Sequence, residues 1–405
     1  MTPATRRIIY WPDPLARNAG GPSGYLWHLR EGLREIGAAD AFAFVTPEAQ
    51  PRQRKNAKAW KSAALAHPLA RPLFLASRRL APSKAERAAK RLLETPLDAH
   101  RLPAGVEAML ADGDVALHCH STMDALRAHN SLAALGRRQN VRLWLTSHTP
   151  EMPAREKADK LRATGAPPSL VERATVRWLE IDRAAFASVD ELVFPCPEAL
   201  EPYVQTDDQV GAIFAKRPMR YVYTGIVDPP HGAHFALPGE GLRFAYAGRH
   251  NSVKGYDWLA EAAPPVLDAT GAWMIVAGGP GPVAAPTHPR WRELGWIANA
   301  PDMIRAADVF ILPNRRTYFD LIALEVMAAG APLLASATGG NVALARESEG
   351  VVLFEPSREG LGRGMREIAA RGRENLKRLG ETNRAAYEAK FSAARFARAY
   401  ATLWA

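Results

Sequence analysis

Cysteine is nearly absent, with two thiols in 405 residues. Cys119 and Cys196 each sit in a short apolar run, VALHCH and ELVFPCP. Both therefore read as buried thiols of a reducing compartment, and no disulfide framework or thiolate metal centre is expected. Long apolar runs are absent as well. Nothing approaches the ~20 residues needed to span a bilayer. The opening MTPATRRIIYWPDP lacks the apolar core of about seven or more residues that a secretory signal carries. These absences set the expectation of a cytoplasmic chain, with any membrane contact peripheral at the inner face. With 47% hydrophobic residues, the chain has enough apolar material for two or three domains of ~150 residues each, and a disordered chain is excluded.

Acidic residues are scarce in one place. From Pro51 to Arg91 the chain holds twelve Lys or Arg and one acidic residue, Glu86, while the whole protein carries a net charge of +10. The excess is thus local, and the rest of the chain is close to neutral. A uniformly basic surface would point to nucleic acid. One basic insertion on a neutral body points to a docking surface, and no stacking or groove-reading motif accompanies it, so no nucleic-acid partner is expected. The stretch, continuing to about Ala104, is long for a connection in an α/β protein. Its cations are interleaved with Trp60, Leu65, Leu69, Leu73, Phe74, Leu75 and Leu80. Two readings stay open: a solvated helical hairpin, or an amphipathic surface for anionic lipid or an acidic glycan.

Short β-branched or aromatic runs alternate with longer helical patterns along the whole chain, the layout of βαβ units around parallel sheets. Strands are expected at Arg7–Trp11, Ala41–Val45, Val115–His118, Val141–Thr146, Glu191–Phe194 and Arg220–Tyr223. A second series follows at Arg243–Ala247, Trp273–Ala277, Val309–Leu312, Leu333–Ala335 and Val351–Phe354. Between the series, Asp228–Gly241 clusters Pro, Gly and His without periodicity and reads as a linker. The division is therefore 1–230, with the insertion at about 51–104, then 231–385, then a C-terminal helix, 386–405. The fold class is α/β, two Rossmann-like doubly wound domains facing across a cleft. Ligands of such sheets bind at the carboxyl ends of the strands. Arg373–Ala405 reads as helix throughout, with Phe391, Phe396, Tyr400 and Leu403 on one face, and it can pack either back on the first domain or on its own.

Three segments at expected strand ends carry chemistry. After the first strand, NAGGPSGYLWHL places Gly20, Gly21 and Gly24 before a helix, where glycine admits close backbone approach and a helix N-terminus attracts an anion. After Arg243–Ala247, YAGRHNSVKG offers Gly248, Arg249 and Lys254, a bidentate clamp and a point charge suited to a diphosphate. After Val309–Leu312, PNRRTYFDLIALE places Glu325 on a helix, eight residues after Thr317. A carboxylate there can accept two hydrogen bonds from a ribose diol.

Taken together, GRHNSVKG, the Phe-Asp-Leu-x-x-Leu-Glu segment, AAGAPLLAS and the Gly339-Gly340 turn resemble the donor half of retaining glycosyltransferase family four, of GT-B fold. GGPSGYLWHL, HCHS, TSHTPE and YTGIVDPP resemble its first half. The resemblance covers nearly the whole chain except the basic insertion. It implies a metal-independent retaining glycosyltransferase that moves a sugar from a nucleotide-diphosphate sugar to a glycan, lipid-linked or small-molecule hydroxyl, as in polysaccharide or glycoconjugate synthesis. No cofactor and no metal are implied. Arg249 and Lys254 would hold the donor diphosphate and stabilise the leaving group. Glu325 would hold the ribose, and Gly21 would approach the phosphate and sugar. Gly248, Phe319, Leu321 and the loop Gly295, Trp296 and Ile297 would complete the nucleotide site. His148 would lie near the transferred sugar and acceptor, with Gly20 and Gly24 on the acceptor side. His118 and His120 would support the site's floor.

The family pattern is Glu-x7-Glu, and its first Glu is Thr317 here, while the usual Gly after Phe319 is Asp320. The expectation is that Asp320 contacts the donor sugar in place of the missing Glu. Two alternatives stay open: another GT-B enzyme such as an epimerase or phosphorylase, and a non-catalytic GT-B protein that binds nucleotide sugar or glycan.

Overall fold

Among the described residues twelve strands form, and eleven lie within two residues of the expected positions. They are β1 Arg6–Tyr10, β2 Ala43–Val45, β3 Val115–Cys119, β4 Val141–Leu145, β5 Glu191–Phe194, β6 Met219–Tyr221, β7 Arg243–Ala247, β8 Trp273–Ala277, β9 Trp291–Gly295, β10 Val309–Leu312, β11 Leu333–Ser336 and β12 Val351–Phe354. The protein is described by a computed structural model at residues 5–17, 21–48, 82–230, 232, 235–236, 240–279, 281–298 and 300–404. The described chain makes two six-stranded sheets, ordered β2-β1-β3-β4-β5-β6 and β12-β11-β10-β7-β8-β9. The pairings of the second sheet are all parallel. By contacts the chain forms two compact units. The first is Met1–Ala19, Asp40–Leu192 and Thr206–Met219; the second is Gly20–Ala39, Val193–Gln205 and Arg220–Ala405.

In the first unit the central strands are buried on both faces, which is why they read as near-continuous apolar runs and not as alternating ones. Ile8, Ile9, Leu117, Leu143 and Leu145 are fully buried. The described part of the basic stretch is a helix, Lys84–Glu94, started by a capping box in which Ser83 and Glu86 exchange hydrogen bonds of 3.1 and 3.3 Å. Ala89 and Leu93 pack on Leu161, Leu170, Val171 and Ala174, while Lys84, Arg87, Lys90 and Arg91 face solvent. Here the cations are the solvated face of a packed helix. The earlier part of the insertion, residues 51–81, and with it most of the amphipathic stretch, lies outside the described residues.

In the second unit, helix Tyr256–Thr270 buries Leu259, Ala262, Ala263, Val266 and Leu267, the i, i+3, i+4 spacing of one helical face. They join Phe244, Met274, Val276, Val309, Ile311 and Leu361 in one core. The C-terminal segment departs from a single helix. It runs as helix Gly372–Ala386, a π-turn Tyr387–Phe391 and helix Ala393–Thr402. The break at Ser392 has a cause in long-range pairing: Ile226 donates to Phe391 O at 2.9 Å and accepts from Ala393 N at 2.8 Å. The Tyr387 hydroxyl also donates to Ile226 O at 2.9 Å. The last helix then packs on helix Gly21–Glu35, where Gly32 allows the approach: a Cβ there would stand 2.1 Å from Ala393 O. Among the described residues no helix is long and apolar enough to cross a membrane.

Candidate functional site

In the second sheet the chain leaves β7 in one direction for β8 and β9 and returns to the other side for β10, β11 and β12. The switch point therefore lies between β7 and β10, where a doubly wound sheet opens a crevice at its carboxyl edge. The loop after β7 is built tightly. Asn251 accepts from Lys254 N at 2.9 Å, closing a 3-10 turn at Ser252–Lys254, and Gly255 follows at φ 64°. A Cβ on Gly255 would stand 1.7 Å from Pro313 O, so only glycine lets this loop lie against the one after β10. Arg315 N donates to Val253 O at 3.2 Å and secures the same junction.

These two loops bring Lys254 and Asp320 together. The Lys254 ammonium is 3.2 Å from Asp320 Oδ2, which also accepts from Asn314 Nδ2. Arg249, at the end of β7, is exposed, and among the described residues no carboxylate pairs with its guanidinium. Gly248 N donates to Ala277 O at 2.9 Å, and Tyr246 OH to Arg249 O at 3.0 Å. The loop after β8 crosses underneath: Gly278 and Gly281 leave no room for a Cβ against Gly248 O and His250 O.

Thr317 is 1% exposed. Its hydroxyl accepts from Asn341 Nδ2 at 3.3 Å and lies 3.4 Å from the Thr338 hydroxyl. It ties the loop after β10 to the loop after β11, where Gly339 and Gly340 pack against Thr317 O and Tyr318 O. Phe319 is buried, and Asp320 is the N-cap of helix Leu321–Ala328, yet its side chain makes no capping hydrogen bond. Glu325 is half-buried on this helix, as is Leu321. Gly295 ends β9 at φ 65°, Trp296 is 76% exposed and Ile297 half-buried. The expected residues Gly248, Arg249, Lys254, Gly295, Trp296, Ile297, Thr317, Phe319, Asp320, Leu321 and Glu325 thus all lie at or just beyond the carboxyl ends of β7, β9 and β10.

Sequence reasoning missed the framework beneath them. Asn314 and Asn341 are 1% and 0% exposed, and Ser336 Oγ donates to Asn314 O at 2.6 Å. His250 stacks on Tyr256 with ring centroids 4.0 Å apart, and Glu293 gathers Tyr256 OH at 2.6 Å, Trp291 Nε1 at 2.7 Å and His250 Nε2 at 3.4 Å. The motif GRHNSVKG contains His250 and Asn251, but His250 engages Tyr256 on the following helix and the distant Glu293, whereas Asn251 closes its own turn, so only the turn-forming Asn carried a local signal.

In the first unit, three histidines meet at the carboxyl edge of β3 and β4. His118 Nε2 lies 2.9 Å from the Thr146 hydroxyl, and His120 Nδ1 lies 2.9 Å from His148 Nε2. The His118 and His120 rings are 4.3 Å apart, those of His120 and His148 5.2 Å. Burial pushes His118 and His148 down to about 3, and His120 well below its ordinary value, so all three are neutral imidazoles near pH 7. Behind them Asp182, fully buried, accepts from Thr122 Oγ1 and Ala154 N, each at 2.7 Å; burial raises its carboxyl. Both cysteines are buried and free, and burial pushes the Cys196 thiol up to about 12. Among the described residues no cluster of His, Cys, Asp or Glu has the makings of a metal site. Gly21 opens its helix at φ 49° with nothing within 4 Å of a built Cβ, Gly24 is buried in that helix, and Gly20 lies outside the described residues.

Residues 241–371 match the sequence family described as Glycosyl transferases group 1. The D-inositol 3-phosphate glycosyltransferase of Salinispora tropica is 32% identical over 139 residues, 29% of this chain and 29% of that protein. The protein of the same description from Thermomonospora curvata is 26% identical over 199 residues, 42% of this chain and 46% of that one. The matched region thus spans less than half the length of these relatives. Among solved structures, the sucrose-phosphate synthase of Thermosynechococcus elongatus aligns over 99% of this chain and 98% of that one, with TM-score 0.64 and 17% identity. Anabaena HepE, solved with UDP and glucose, aligns over 98% and 99%, with TM-score 0.58 and 11% identity. Segment 241–371 is thus similar to the glycosyl transferases group 1 family, and the chain has a fold of GT-B type.

Proposed function

We propose that the protein is a metal-independent retaining glycosyltransferase, moving a sugar from a nucleotide-diphosphate sugar to a hydroxyl of a glycan, a lipid-linked molecule or a small molecule. The observation that carries this reading is Lys254, presented at the β7/β10 switch point by a loop that Gly255 seats against Pro313, with Arg249 on the same loop. As the glycosidic bond breaks, negative charge develops on the leaving diphosphate. Two cations carried by that loop, Lys254 and Arg249, stabilise the charge where it develops. Glu325, on the helix that begins there, holds the ribose diol. The phosphate takes the acceptor's proton on the face where the new bond forms, which retains the anomeric configuration. The bound UDP in the HepE structure supports a nucleotide ligand for this fold. The basic stretch Pro51–Arg91 docks the acceptor side on an anionic membrane or acidic glycan, a role that liposome co-sedimentation checks.

The test is an assay of the full chain against UDP-, GDP- and ADP-sugars with glycan and lipid-linked acceptors. It follows free nucleoside diphosphate and the anomeric configuration of the product by NMR, with and without chelator. Release coupled to a new glycoside of retained configuration, unchanged by chelator, is expected. The burial of Thr317 in a protein network, where the family pattern has a carboxylate, favours one competing reading, a non-catalytic binder of nucleotide sugar. Binding of a nucleotide sugar with no release alongside any acceptor would establish that reading instead.

A further inference from the structure

Asp320 occupies an N-cap without capping. Its backbone is extended, φ −71° and ψ 127°, as an N-cap requires, and Asp is among the best residues for satisfying the first N–H groups of a helix. Its carboxylate turns away from them. Oδ2 takes the Lys254 ammonium at 3.2 Å and the Asn314 amide, while Oδ1 accepts from no described residue. Asn314 is 1% exposed and its own Oδ1 is without a partner among the described residues, so the amide is oriented by the carboxylate it donates to. The protein gives up a helix cap and orients a buried amide in order to hold one anion against one cation.

We propose that Asp320 is an internal counter-ion for Lys254: it positions the ammonium in the unloaded protein and competes with the diphosphate that must take it over. This rests on the reading of Lys254 as a phosphate ligand. The carboxylate works through the lysine and is a positioning residue. A diphosphate entering the edge meets an ammonium whose charge is already partly neutralised, and a carboxylate that repels it. Asp320 therefore subtracts from the affinity for any diphosphate, product included, while keeping Lys254 from folding back on the surface. Both side chains are partly exposed, so solvent screens the pair and the effect is modest.

The experiment titrates inorganic pyrophosphate, which has neither base nor sugar, into the full chain by calorimetry. Wild type is compared with Asp320→Asn, Lys254→Met and the double variant, with circular dichroism and melting as the check on folding. Asp320→Ser, which removes the same charge, stands in where Asp320→Asn does not fold. Asp320→Asn should tighten pyrophosphate by about threefold to tenfold, in line with removing one screened charge a few Å from the ligand. Lys254→Met should weaken it, and in the Lys254→Met background the gain from Asp320→Asn should shrink. A purely structural Asp320 would give weaker binding or none of this gain. If Lys254→Met weakens binding and Asp320→Asn does not tighten it, the counter-ion is refuted while the phosphate ligand stands. If Lys254→Met leaves binding unchanged, the reading of Lys254 itself fails.

Discussion

Gly255 and Gly271 bound the same helix, Tyr256–Thr270, one at its N-terminus with φ 64° and one at its C-terminus with φ 68°. Replacing either with alanine forces a Cβ into left-handed backbone, at a cost of about 1–2 kcal/mol. The surroundings then separate them. A Cβ on Gly271 meets nothing within 4 Å, whereas one on Gly255 stands 1.7 Å from Pro313 O. Relieving that overlap moves the loop of Arg249 and Lys254 off the loop of Asn314 and Asp320 by more than about 1 Å, a displacement large enough to cost a site ~100-fold in rate. Gly271→Ala should therefore lower stability in urea by about 1–2 kcal/mol and leave nucleotide binding and turnover as in wild type. Gly255→Ala should lower stability further and reduce nucleoside-diphosphate affinity by at least about tenfold. Denaturation curves and calorimetric titration of the two variants make the comparison. Equal effects of the two on binding would refute the claim that the junction of these loops builds the site.

Two further outcomes follow from burial. The histidines His118 and His148 are neutral in the folded protein down to pH about 3 but take up protons near 6.5 when unfolded, so stability is full above pH 6.5 and is lost as pH falls toward 3. Each fully buried imidazole should cost about 2 kcal/mol at pH 5. Asp182, raised by burial, works in the opposite sense, so the check is the difference between wild type and His148→Gln: the variant's acid slope should be shallower by about one proton. At Thr317, restoring the family's carboxylate with Thr317→Glu would bury an unpaired charge in the Asn341 and Thr338 network. Stability should fall by about 3 kcal/mol or more, without any gain in affinity for nucleotide sugar. A variant as stable as wild type would show that the side chain reaches solvent or ligand.

Eleven strands were legible because a parallel strand buried on both faces carries its signal in every residue, as in RFAYA, WMIVA and VFIL. β9 was not legible. Its Arg292 and Glu293 are exposed on an edge strand that pairs with β8 across a register shift, so only the first residue of WRELG looks like a strand. The placement of Arg249, Lys254 and Glu325 at one edge was readable, since motifs at strand ends in an α/β chain share an edge by topology. The break at Ser392 was not, because it is set by pairing with Ile226, 166 residues away, and the one local sign, Ser392 as N-cap accepting from Arg395 N, went unread. The fate of Thr317 was equally hidden. A hydroxyl at the end of a strand carries no local sign of the Asn341 amide that engages it. The basic stretch was legible as charge, and in its described part the charge is the outer face of a helix whose inner face, Ala89, Leu92 and Leu93, sequence reasoning did not single out.

The central claim is that cations at the β7/β10 edge hold the departing diphosphate. Steady-state release of nucleoside diphosphate from the preferred nucleotide sugar, compared among wild type, Arg249→Ala and Lys254→Ala, tests it most directly. Each variant should lose ~100-fold or more in turnover, the range seen on removing one preorganised donor from a site that stabilises developing charge. Near-normal turnover in both variants would contradict the account.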